Sequence, residues 1–186
     1  MEYLRADVRK YLERFDEILK NMSDEMLSQN VTRSITVNFI RCMVPHHEAA
    51  IYMCQNLLEY TKYQKLQEIA NTIIEMQTKG IQQMKRILMT TRGYINSNNN
   101  VNSYMKEYLE ITKNMIENMK SSPRYNNINI NFINEMIPHH KGAIEMCNNL
   151  LKYWVDPRLK KVAEDIIKEQ SKGVTQLEEI RKNLYR

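Results

Sequence analysis

All four histidines of this 186-residue chain fall in two adjacent pairs, His46 with His47 and His139 with His140, each preceded by a proline and flanked by methionines. The first pair lies in the stretch 39–60, FIRCMVPHHEAAIYMCQNLLEY, the second in 132–153, FINEMIPHHKGAIEMCNNLLKY, and the two stretches agree at 14 of 22 positions. Imidazole in an apolar helix face is unfavourable unless its ring nitrogens are hydrogen-bonded or ligate a metal. Beside these rings stand the thioethers of Met43, Met53, Met136 and Met146. Thioether and thiolate donors select soft ions, Cu(I) above all, and imidazole is compatible with them. Cu(I) needs few ligands, so each half of the chain could supply a site unaided.

Other chemistries fit the pattern less well. Ferritin-like di-iron bundles use Glu-x-x-His, whereas the residue three before each first histidine is Met43 or Met136, and Glu48 is answered by Lys141 in the second stretch. The Cys and His spacing of a structural zinc site is absent, and Met is a poor zinc ligand. Cys54 shares a helix face with the histidines but has no evident oxyanion hole or third orienting group, so nucleophilic catalysis lacks its parts. A structural alternative is that the methionines fill the core, as Met does readily, while Gln77 and Gln170 or groups of the first helices satisfy the rings and nothing binds. Two duplicated pairs with Met at the same offsets favour metal binding over that inert core. The expectation is a non-enzymatic protein that binds Cu(I) for buffering, delivery or sensing. The alternatives are a structural or partner-binding bundle and, third, a metal-dependent enzyme, which would need several carboxylates beside the histidines.

The elements that must position these groups are helices. Phe39, Met43, His46, Ala50, Met53, Leu57 and Tyr60 recur at intervals of four and three, the seam of a packed helix. At about 100° per residue, Cys42, Met43, His46, His47, Ala50, Met53 and Cys54 share an arc of roughly 140°. Met136, His139, His140, Met146 and Cys147 occupy the same arc in the second stretch. Pro45 and Pro138 inside these seams predict kinks, unless each is the first residue of its helix. A preceding amphipathic helix is predicted from Tyr3 to about Leu27, with its counterpart from about Val101 to Met119. A following helix carries Leu66, Ala70, Ile73, Gln77, Gly80, Met84 and Ile87, matched by Leu159, Ala163, Ile166, Gln170, Gly173, Leu177 and Ile180. Its glycines predict close approach to the histidine helix, and its glutamines an amide offered there.

Shifted by 93 residues without a gap, the chain matches itself at 33 of the 77 positions from Tyr11 to Ile87. A tandem duplication follows: a first helical repeat over 1–92, an exposed Asn-rich linker over 93–102, and a second repeat over 103–186, both sharing one core. A polar break, 121–131, separates helices in the second repeat, and Asp156 with Pro157 reads as a helix start. The class expected is all-α, a four-helix bundle formed by the second and third helices of both repeats, with the first helices packed against it. Four Gly and four Pro are too few for a loop-rich β fold. The net charge of +5 is spread along the chain rather than blocked, so no nucleic-acid partner is expected. No membrane-length apolar run and no signal peptide stand in the sequence as given, so a cytoplasmic location is expected, or the envelope if a leader was removed. Cys42, Cys54 and Cys147 make an odd number, which points to reduced thiols. The partners expected are a metal ion and, as an open question, further copies of the chain.

The pattern Met-(Val/Ile)-Pro-His-His-x-(Ala/Gly)-Ala-Ile-x-Met, the upstream Met-x-x-x-Met and the Gln of the third helix resemble the bacterial family called domain of unknown function 305. The resemblance covers nearly the whole chain. It implies a ferritin-like helical bundle and, by the family's link to copper binding or tolerance, ligands at Met22, Met26, Met43, His46, His47 and Met53. In the second repeat the corresponding residues are Met115, Met119, Met136, His139, His140 and Met146. Asn38 and Asn131 stand where the family often has Asp, Gly80 and Gly173 where it often has Glu, and Cys54 and Cys147 replace a usual alanine.

Overall fold

The structure, a computed structural model, describes residues 4–184. Six helices follow one another: α1 (Ala6–Leu27), α2 (Ile35–Leu58), α3 (Gln64–Thr90), α4 (Asn98–Lys120), α5 (Ile128–Leu150) and α6 (Pro157–Leu184). Among the described residues there is no strand. No helix there is long and apolar enough to cross a membrane.

The start expected at Tyr3 lies outside the described residues, and the first helix begins at Ala6. Helix α2 starts where the Ser34 side chain accepts from the Val37 amide, and α5 where the Asn127 side chain accepts from the Asn129 and Ile130 amides. Such caps satisfy amides that have no partner within the helix. At α6 the expected start is found: Pro157 is the first helical residue, and Asp156 Oδ1 accepts from the Arg158 amide at 3.0 Å.

The stretch 93–102 is exposed at most of its positions, but it is tied to the fold at Asn96 and turns helical within its length. Ser97 caps α4 through the Asn100 amide, so the chain is helical from Asn98 onward. Asn96 is buried; its Oδ1 accepts from the Ile35 amide at 3.0 Å and its Nδ2 donates to the Trp154 carbonyl at 2.9 Å. An Asn side chain is both acceptor and donor, and here both ends tie the connection to α2 and to the turn before α6. Among the described residues only Gly93, at φ 78°, needs the left-handed freedom of glycine.

Helices α2 and α5 are the inner pair. Helix α2 packs against α1, α3 and α5, and α5 against α2, α4 and α6; α3 touches α6, and α1 touches α4. Contacts therefore run in a closed ring through α2, α3, α6 and α5. The inner helices bury most of their circumference, Ile35, Phe39, Ile40, Met43, His46 and Ala50 among them on α2, whereas α1, α3, α4 and α6 bury one stripe each. A single apolar core draws on all six helices.

Two staples recur at corresponding places. Asn56 Nδ2 donates to the Tyr11 carbonyl and Asn149 Nδ2 to the Tyr104 carbonyl, both at 3.0 Å. These bonds join α1 to α2 and α4 to α5, and so hold each outer helix in register with its histidine helix.

Candidate functional site

Pro45 and Pro138 lie inside α2 and α5 rather than in their first turns, so each removes an amide bond just before a histidine pair. The first histidine of each pair meets its counterpart from the other half. The rings of His46 and His139 are stacked, centroids 3.7 Å apart and planes inclined by 27°. Each second histidine stands 6.0 Å from its neighbour, His47 from His46 and His140 from His139. All four are fully buried or nearly so.

His139 Nε2 lies 3.1 Å from the His46 carbonyl oxygen. An imidazole that donates there carries its proton on Nε2, which leaves Nδ1 as a lone pair. That Nδ1 has no partner, nor do Nδ1 and Nε2 of His46, nor Nδ1 of His47 and of His140. Burial opposes the charged form. It pushes His139 down to about 4, and burial followed by the neighbouring histidines pushes His47 and His140 down to about 3. His46 is driven well below its ordinary value by the same causes. The rings are therefore neutral at physiological pH, the form in which imidazole ligates metals.

The close approach predicted for the third helices is present. A Cβ placed on Gly80 would come within 3.1 Å of His47 Cδ2 and Nε2, and one on Gly173 within 2.9 and 3.0 Å of the same atoms of His140. Gln77 Oε1 and both Oε1 and Nε2 of Gln170 are buried without partners, so these amide atoms make no hydrogen bond to the rings. A buried polar atom with no hydrogen bond costs about 1–3 kcal/mol, and these unpaired atoms cluster around the four rings.

The candidate methionines are all buried: Met22, Met26, Met43 and Met53 in the first half, Met115, Met119, Met136 and Met146 in the second. Met115 packs against Gly142, where a Cβ would overlap its sulfur. Cys42, Cys54 and Cys147 are free and buried, and burial raises all three thiols. Cys42 Sγ sits 3.8 Å from the Met26 carbonyl as its donor. Among the described residues no three His, Cys, Asp or Glu side chains are grouped so as to hold a metal ion.

One buried acid escaped the pattern. Glu135, on α5, occupies the place that Cys42 holds on α2, and it accepts a 2.6 Å hydrogen bond from the Tyr11 hydroxyl of α1. Burial raises its carboxyl to about 8, against the opposing effects of Tyr11 and Arg124. Tyr104, the counterpart of Tyr11, has a buried hydroxyl without a partner; the residue facing it from the opposite half is the thiol Cys42, where Tyr11 meets the carboxyl of Glu135. Glu48, by contrast, lies at the surface, paired with Lys85 at 3.3 Å, and Lys141 is paired with Glu178 at 3.3 Å. The ion pair is retained with its signs exchanged, which explains the missing acid at position 141 without metal chemistry.

The two asparagines at the helix starts also have a structural account. Asn38 accepts from the Thr32 amide and donates to the Thr32 carbonyl, both at 2.8 Å. Asn131 does the same with Tyr125, at 2.7 and 2.8 Å. An Asp there would lack the donor.

These features define an all-helical protein whose two histidine helices meet at their imidazoles. The sequence profile of the family described as domain of unknown function (DUF305) matches residues 13–88 and 36–181, more than half of the chain, so the chain belongs to that family. No curated protein matches it. Among solved structures it is similar to the crystal structure of a DUF305 fragment from Deinococcus radiodurans, at 20% identity and a TM-score of 0.59. The match covers 83% of this chain and 99% of the fragment, and at that identity it bears on the fold alone.

Proposed function

We propose that the chain binds a soft metal ion, Cu(I), through imidazole and thioether groups between α2 and α5, without catalysing a reaction. The observation that carries this is the set of unpaired nitrogens on four neutral, buried histidines. Backbone at His139 and Met43 stands near the His46 and His47 rings, and Met43, Met53, Met136 and Met146 lie buried on the same two helices. The outer pairs Met22 with Met26 and Met115 with Met119 supply further sulfur from α1 and α4. In this reading the fold is a ferritin-like four-helix bundle made of two tandem three-helix repeats, and the recurring Asn staples and sign-exchanged ion pairs support the duplication.

An anaerobic titration against a chromogenic Cu(I) chelator tests the reading. The wild-type chain should withdraw copper from the chelator, and a variant with His46→Gln and His139→Gln should withdraw markedly less. Failure of the wild-type chain to compete ends the proposal.

A specific observation favours a second reading, a helical scaffold without metal. The His46–His139 stack and the hydrogen bond from His139 to the His46 carbonyl form a self-sufficient contact between halves. If that contact is the purpose of the rings, the double Gln variant loses stability while the wild-type chain ignores copper.

A further inference from the structure

Every candidate ligand is buried, so an ion needs a way in, and the surface offers one that reaches the histidines. Between α3 and α6 lie two clefts of about 270 and 300 Å³. His47 lines the first and His140 the second. Both clefts share Met76, Gln77, Glu169 and Gln170, so they are the two ends of one groove with the glutamine amides between them. Gly80 and Gly173 line it as well and lie against the ring edges of His47 and His140. Because neither glycine has a side chain, backbone alone stands beside those edges.

Met76 is the unexpected member. It is partly exposed and lies outside the apolar core cluster, whereas Met105, equally half-buried, packs against that core. The position 93 residues further on holds Glu169, so the groove has a thioether on its α3 wall and a carboxylate on its α6 wall. Deeper in, Gln77 Oε1 and the whole Gln170 amide are buried and unpaired. The groove thus grades from a charged and sulfur-bearing mouth, through unpaired amides, to neutral imidazole. Met76 is the one thioether in the linings of both clefts, the donor that suits a soft cation, among the charges of Glu169, Lys79 and Lys172.

We propose that this α3–α6 groove is the route by which Cu(I) reaches the buried histidines, with Met76 as the outer ligand that captures it. The inference rests on the copper-binding reading above and adds to it the path and its first residue. Met76 has no part in the final site, so its removal changes the rate of loading and leaves the amount bound untouched. Leu replaces Met with little change in volume, which keeps the walls intact.

Stopped-flow transfer of Cu(I) from a chromogenic chelator to the full chain, under anaerobic conditions, tests this. Met76→Leu should load measurably more slowly than wild type and reach the wild-type stoichiometry. Met105→Leu should load at the wild-type rate. With Ag(I) as a diamagnetic stand-in, the Met76 methyl resonance should shift at the earliest additions. Equal loading rates for Met76→Leu and wild type would overturn the route, and so would a lower final stoichiometry, which would make Met76 a holding ligand. A wild-type chain that takes no Cu(I) at all overturns the binding reading itself, a result distinct from either.

Discussion

The rings of His46 and His139 face one another across the α2–α5 contact at 3.7 Å, one from each half of the chain. Two imidazolium cations at that separation would repel strongly in a buried setting, so the contact requires at least one neutral ring. Burial enforces neutrality on all four.

This places an acid limb on stability. In the unfolded chain a histidine titrates near 6.5, whereas folded His139 titrates at about 4 and His47 and His140 at about 3. Between those values the unfolded chain binds protons that the folded chain refuses. The histidines' contribution to stability is therefore complete above about pH 6.5 and is lost as pH drops towards 4. Denaturant titrations at pH 7 and pH 5 should show a clearly lower midpoint at pH 5, and replacing both His47 and His140 by Gln should reduce that difference while His46 and His139 keep the remainder.

Glu135 acts in the opposite sense. Its carboxyl titrates at about 8 in the fold and near 4.3 when unfolded, so across that interval the folded state keeps a proton that the unfolded state releases. Stability then declines as pH rises from about 4.5 to 8. Glu135→Gln keeps an acceptor for Tyr11 and removes the titration. Thermal unfolding of the variant should lose the alkaline decline between pH 6 and 8.5 and retain the acid limb; an unchanged alkaline slope would assign it to another group.

The glycines of α3 and α6 should respond differently to alanine. At Gly80 the new Cβ would meet the His47 ring at 3.1 Å, at Gly173 the His140 ring at 2.9 Å. Alanine gains about 1 kcal/mol of helix propensity over glycine, while overpacking a core costs typically about 1–3 kcal/mol. Gly80→Ala should come out near neutral by chemical denaturation, and Gly173→Ala destabilised. The reverse order would contradict the packing at these rings.

Gly142 makes a sharper case. Cβ, Cγ and Sδ of Met115 all lie closer than a Cβ there would allow, so moving the end of the side chain cannot relieve the overlap. Gly142→Ala should cost about 1–3 kcal/mol, and Met115→Ala in the same chain should recover part of it. A double-mutant cycle with no coupling would place Met115 elsewhere.

Much of this architecture was legible in the sequence. The four-and-three spacing on 39–60 and 132–153 marks helices of constant burial, and the glycines opposite the histidines signal close contact because only a missing side chain permits it. The Asp156–Pro157 start could be read because its chemistry is local. Less could be read where tertiary contacts decide. The asparagines of 93–102 look like a solvated linker, yet Asn96 is anchored by Ile35 and Trp154, which are remote in sequence. Glu135 carries no mark as a buried acid, since the tyrosine that receives it is more than a hundred residues away. Its only signal was the mismatch with Cys42 between the two stretches. Helical periodicity could place the four imidazoles on matching faces but not stack two of them, because that depends on how one half meets the other.

The stack has a consequence for how its pocket is assembled. Each half contributes a single ring, so neither folded alone contains the pair. A chain cleaved in the loop at Gly93 would have to rebuild it by fragment complementation, and its recovery would become second order, faster with concentration and reversible by dilution. In the intact polypeptide the tether makes the same encounter intramolecular, which turns a meeting of two partners into a property of one molecule.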